Sequence, residues 1–92
     1  YATTREVLNL DPLADKWRSF GFAVAEVDGH SIAELRHALA GLPLAPDRPS
    51  ALICHTVKGK GIGFVERNLA WHHKNNVTDA EVEALLAALE AP

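Results

Sequence analysis

The sequence predicts an α/β fold: part of a parallel sheet flanked by helices, built on one βαβ unit with further helices on either side. Two observations carry this. Phe22-Ala-Val-Ala-Glu-Val27 and Ser50-Ala-Leu-Ile-Cys-His-Thr-Val57 are short apolar runs that have nearly lost polar alternation, as strands covered on both faces do. Between them lies one helical pattern, and a strand, helix and strand at this spacing imply parallel pairing through a right-handed crossover.

The elements follow in chain order. Tyr1 to Leu10 shows no apolar periodicity before Val7. A first residue other than Met reads as a chain that begins mid-protein. Asp11-Pro12 predicts a helix start, aspartate capping free N–H groups and proline being pre-shaped for the first helical position. Leu13, Trp17 and Phe20 then share a stripe, and Gly21 is the expected stop, giving a helix over about 12–20. The first strand is closed by the Asp28-Gly29 turn. Ser31 and Glu34 match the capping-box spacing, and Ile32, Leu35 and Leu39 predict the buried stripe of a second helix ending at Gly41. Pro43 to Pro49 is a proline-rich loop ahead of the second strand. Thr78 and Glu81 form another capping box, and Val82, Leu85, Leu86 and Leu89 predict the inward face of a final helix. Two parallel strands do not make a stable sheet alone, so the sheet is expected to continue in other residues or another chain.

Composition narrows the function. The chain has 92 residues, 48% of them hydrophobic, which suits one small globular domain or a piece of a larger one. A formal net charge of −3 gives no bulk electrostatic support for nucleic-acid binding. No apolar stretch approaches the roughly 20 residues of a membrane helix. Cys54 is the one cysteine and lies in an apolar run, so it reads as a buried structural thiol in a chain suited to a reducing, cytoplasmic setting.

The chemistry concentrates in His55-Thr-Val-Lys-Gly-Lys-Gly-Ile62 and Trp71-His-His-Lys74. Ligands of open parallel sheets bind beyond the carboxyl ends of strands, where Lys58, Gly59, Lys60 and Gly61 fall. Lysine supplies fixed positive charge, and glycine permits φ > 0 and close backbone approach, which together suit a phosphate or diphosphate. An ordinary solvated turn is the competing reading. The spacing is not that of a Walker A loop. Of the adjacent His72 and His73, at most one is expected to face a ligand, and a histidine there could donate to a phosphate oxygen or a developing alkoxide. No metal-ligand spacing is present. His55 reads as a hydrogen-bonded core residue, His30 as ordering its turn and His37 as solvent-facing. Glu66, Arg67 and Asn68 read as a solvated loop, and Trp17 and Trp71 as packing residues.

Taken in order, Glu6-Val-Leu-Asn-Leu-Asp-Pro-Leu-Ala-Asp-Lys-Trp-Arg-Ser-Phe-Gly-Phe22, Glu26-Val-Asp-Gly-His30, His55 to Ile62, and Ala70-Trp-His72 resemble the amino-terminal, diphosphate-binding domain of transketolase. The likeness extends to the short, split-subunit transketolases of bacteria. It implies the thiamine-diphosphate-binding fold, with residues 1–92 forming the carboxyl-terminal portion of one such domain, incomplete on its own. It implies thiamine diphosphate and Mg²⁺ as cofactors and transfer of a two-carbon ketol unit between a ketose and an aldose. By position, His72 matches the family's proton-handling histidine beside the cofactor diphosphate and the reacting substrate. Lys58 matches a residue lining the cofactor channel, and Gly59 and Gly61 would shape the turn there.

The family's Gly-Asp-Gly motif and later asparagine, which hold Mg²⁺, have no counterpart here, so metal ligands are expected outside this segment. The implied partners are an upstream metal-binding segment, a pyrimidine-binding domain or subunit carrying the activating glutamate, and a sugar substrate, in a dimer or heterotetramer. His73 stands where the family usually has glycine, and Ser31 replaces a common aspartate. Two alternatives accompany this reading: a specialised ketol transferase or acyloin synthase of secondary metabolism, and a non-catalytic scaffold subunit.

Overall fold

A computed structural model describes residues 2–71 and 73–91, which group into two units, 3–56 and 57–91 with Ala2. In the first unit, helices α1 (Thr4–Val7), α2 (Leu13–Ser19) and α3 (Ile32–Ala40) accompany strands β1 (Ala23–Asp28) and β2 (Ser50–His55). The strands pair in parallel, Ala23 opposite Ser50 through Asp28 opposite His55, and α2 and α3 both pack on β1. This is the expected βαβ unit. The second unit holds a 3-10 turn, Leu69–Trp71, and helix α4 (Asp79–Glu90).

Local chemistry explains the element ends. Thr3 Oγ1 accepts from the Glu6 N–H, Ser31 Oγ from the Glu34 N–H, and Thr78 and Glu81 complete a reciprocal capping box. The helix α1 has no apolar stripe, but its Thr3-x-x-Glu6 spacing is the same signal read at Ser31 and Thr78. Gly21, at φ +92, follows the end of α2 and takes a left-handed conformation that a side chain would resist.

Several expectations need correction. The helix α2 starts one residue late, capped at Pro12 with no side-chain bond. Asp11 does not cap it, because its carboxylate takes Arg5 Nη2 at 2.9 Å. β2 stops at His55, and Thr56 and Val57 lie beyond it, because its partner strand ends at Asp28. β1 is not covered on both faces: Glu26 and Asp28 are exposed, and Ala23 is the one buried hydrophobic residue among those described, at 9% exposure. The expected buried stripes are open. Phe20 is 82% exposed and Ile32 73%, and Leu39, Val82, Leu86 and Leu89 are also exposed, leaving Leu35 and Leu85 half-buried. Cys54 is exposed, and so is His55, which is hydrogen-bonded as expected, to Glu26 Oε1 at 2.8 Å, but is not in a core. The cause is shared: these side chains project from a two-stranded sheet and from helices whose outer faces no other described element covers. Trp17 is not a core residue either, lying 39% exposed with its ring edge-on to Phe22 at 4.8 Å. No helix is long and apolar enough to cross a membrane among the described residues.

Candidate functional site

Two turns carry the candidate residues. At the end of the sheet, the Asp28 carboxylate accepts the His30 N–H at 2.9 Å, and the Gly29 N–H donates to the His55 carbonyl at 2.8 Å. A Cβ at Gly29 would lie 2.6 Å from Thr56 Cγ2 and 3.0 Å from the His55 oxygen, so no larger residue fits beneath the end of β2. His30 thus helps order its turn through its backbone, and His37 is exposed, both as expected.

The second turn begins at Lys58. Gly59 and Gly61 have φ +81 and +107. A Cβ on Gly59 would come within 2.6 Å of Val65 Cγ1, whereas one on Gly61 would meet nothing within 4 Å. The chain folds back so that the Arg67 N–H reaches the Lys58 carbonyl, making 58–67 a loop with joined ends. The Lys60 N–H donates to Val57, just ahead of the loop, and inside it the Ile62 N–H donates to Gly59 and the Gly61 N–H to Glu66 Oε1 at 3.2 Å. These three donors are therefore spent on the chain itself. What this corner offers an anion is the charge of the exposed Lys58 and Lys60, on a backbone held rigid by its own bonds.

Glu66 and Asn68 are not the solvated residues expected of them. Both are half-buried, Glu66 on the Gly61 N–H and Asn68 with its amide nitrogen on the Phe64 carbonyl and its oxygen on the Ala70 N–H. Asn68 thereby starts the 3-10 turn that delivers Trp71, whose ring lies 5.9 Å from that of Phe64. The sequence carries no periodic signal for contacts at these separations.

His72, the expected proton handler, lies outside the described residues. Its neighbours are fixed. Lys74 Nζ sits 4.8 Å from the Trp71 ring centroid and 2.9 Å from Glu81 Oε2. The Thr78 N–H first, and Lys74 second, hold the Glu81 carboxyl down at about 2, so it is ionised at neutral pH. His73 is exposed and has φ 56, a left-handed backbone that costs a non-glycine residue about 1–2 kcal/mol.

The residues present fit the implied groups in part. Lys58 and Lys60 suit a diphosphate as point charges. No group of three or more His, Cys, Asp or Glu side chains that could hold a metal occurs among the described residues, so a ligand set for Mg²⁺ is not found among them.

No protein-family model matches the chain. Individual proteins do. Over 87 residues, 95% of this chain, it is 40% identical to the 6-deoxy-6-sulfo-D-fructose transketolase subunit SqwG of a Clostridium species. Over the same share it is 38% identical to an apulose-4-phosphate transketolase subunit of Actinobacillus succinogenes. Rat transketolase is 38% identical over 71% of the chain. The chain spans 31% of the length of each of the first two and 10% of the third. Along nearly the whole of its sequence, then, the chain is similar to a part of transketolase subunits.

Proposed function

We propose that the chain is part of a thiamine-diphosphate-dependent transketolase, a transferase that moves a two-carbon ketol unit from a ketose to an aldose. The observation that carries this is likeness to transketolase subunits over 95% of the chain. Two of those relatives are named for ketoses bearing a sulfonate or a phosphate, and we extend that class, a ketose with an anionic end, to this chain. The relatives are subunits, so a complementary chain would supply the pyrimidine-binding part and other residues the Mg²⁺ ligands. Those same parts would cover the open faces around Phe20, Ile32, Leu39 and Leu89. On this reading residues 1–92 are the carboxyl-terminal portion of a diphosphate-binding domain.

Thiamine diphosphate, when bound, supplies the carbanion chemistry that breaks and makes the carbon–carbon bond. The chain's own residues bind and orient. Lys58 offsets phosphate charge from the rim of its loop. Gly59 and Gly61 set the path that aims it. His72 donates a hydrogen bond to the substrate oxygen and takes or returns its proton. Trp71 and Lys74 fix the backbone on either side of the histidine pair. Assaying the assembled protein with thiamine diphosphate, Mg²⁺, a sulfonated or phosphorylated ketose and an aldose tests this. Formation of the shortened aldose and lengthened ketose is expected. A lack of transfer with every anionic ketose, despite bound cofactor, would favour a scaffold role.

A further inference from the structure

We infer that one open face of α4 docks the complementary subunit, taking an amphipathic helix with an apolar face and a flanking row of lysine or arginine. This deepens the proposed function and rests on reading the chain as part of a split transketolase. Three observations on the helix support it.

The residues of α4 sort into rows. Glu81, Leu85 and Ala88, at i, i+4 and i+7, are the half-buried ones. Val82, Leu86 and Leu89 repeat that spacing one residue on, yet are 43%, 56% and 60% exposed. The second row is therefore a separate apolar stripe, turned away from the side that is sheltered. Three large aliphatic side chains in line make a contiguous patch, unlike the scattered apolar residues normal on a surface. Such a ridge has the form that packs into the groove of another helix.

Acidic residues line the stripe. Asp79, Glu83 and Glu90 are exposed along one flank of it, and none takes an ion pair among the described residues. Asp79 suits a helix N-terminus. Glu90 lies in the last turn, where a carboxylate opposes the helix dipole and no basic residue offsets it. Its charge does not serve the helix itself. A cationic row on a partner complements all three, and this selects the occupant. A second copy of α4, packed antiparallel about a two-fold axis, would set the acidic row against its own counterpart, which disfavours self-association. The complementary subunit that the proposed function requires is then the source of the basic helix.

The test measures binding of the full-length protein to the purified complementary subunit by calorimetry, at low and high salt. Leu86→Gln with Leu89→Gln keeps good helix formers and removes the apolar stripe. It should weaken the complex about 10- to 100-fold, as loss of central contacts does. Glu83→Lys with Glu90→Lys should weaken it about tenfold at low salt and much less at high salt. Ala84→Ser, on the opposite side of α4, should stay within about twofold. Equal affinities for all forms overturn the docking face and leave the transketolase reading standing. A photoreactive benzophenone side chain in place of Leu86 identifies the occupant independently of these variants. A cross-link to a lysine- or arginine-bearing helix of the complementary subunit is expected. A link to a second copy, or to another segment of the same chain, overturns the proposal. So does the absence of any complex, and ketol transfer by the full-length protein alone would then preserve the wider reading.

Discussion

The two units of this chain are held together by different means. Residues 3–56 are regular: two paired strands and two helices on β1, ordered by backbone ladders, with apolar faces left open. Residues 57–91 have one long helix, and the rest is irregular chain fixed by side chains reaching across a few residues: Glu66 to Gly61, Asn68 to Phe64 and Ala70, Lys74 to Trp71 and Glu81. The first unit takes its shape mainly from strand pairing and from helix ends capped at Thr3 and Ser31. The second spends specific polar groups on its shape, as irregular chain must to satisfy its backbone groups. Both candidate lysines and the histidine pair lie in the second unit's sequence, beyond β2.

The sharpest way to break this contrast is His72→Ala in the assembled enzyme. Turnover should fall about 10²–10⁴-fold, the scale of acid–base residues, while an exposed histidine of the scaffold, His37→Ala, should leave it within about twofold. Equal rates for both variants would erase the functional distinction.

Glycine substitutions sharpen the contrast next. Gly59→Ala meets Val65 Cγ1 at 2.6 Å on a backbone of φ +81, so strain and collision add. We expect a loss of about 2–4 kcal/mol of local stability. Gly61→Ala, strained but unobstructed, should cost about 1 kcal/mol. Gly63→Ala, with nothing within 4 Å, should be close to neutral. Hydrogen exchange at the Lys60, Ile62 and Val65 amides, which close the loop, reads this order.

Acidification tests the start of α4. The folded Glu81 carboxyl, at about 2, lies below its ordinary 4.5. Its contribution is therefore complete above about 4.5 and is lost as pH falls towards 2. Protection of the Glu81 and Val82 amides should drop across that window in the wild type, and less so in Glu81→Gln. The same pH dependence in both would assign the loss to other carboxylates.

The smallest effect belongs to His73→Gly, which should relieve about 0.5–1 kcal/mol of backbone strain net of the unfolded-chain entropy. A melting temperature lower than wild type would mean that the imidazole's own contacts outweigh the strain.

Much of the scaffold was legible. Periodicity located α2, α3, α4 and both strands within a residue or two, because each repeats a local pattern. The helix α1 was equally marked by Thr3 and Glu6 but lacks the apolar stripe that drew attention to the others. Exposure was not legible. Cys54 and His55 sit in an apolar run and Phe20 and Ile32 on apolar helical stripes, and whether such a run or stripe is covered depends on segments far away in sequence or on other chains. The site was half legible. The lysine–glycine alternation announced a turn, and the φ of Gly59 and Gly61 matches it. That its amides would be consumed internally, by Glu66 among others, depends on where the loop returns, which no spacing rule reports. His73 is the instructive case: a resemblance marked the position as one for glycine, and its backbone angle is the one glycine favours.

Calorimetric titration of thiamine diphosphate, with Mg²⁺, into the assembled protein and its Lys58→Ala variant tests the central claim most directly. Saturable binding is expected, weakened about tenfold in Lys58→Ala by the loss of one charge-assisted contact. An affinity indifferent to Lys58, or no binding at all, would contradict it.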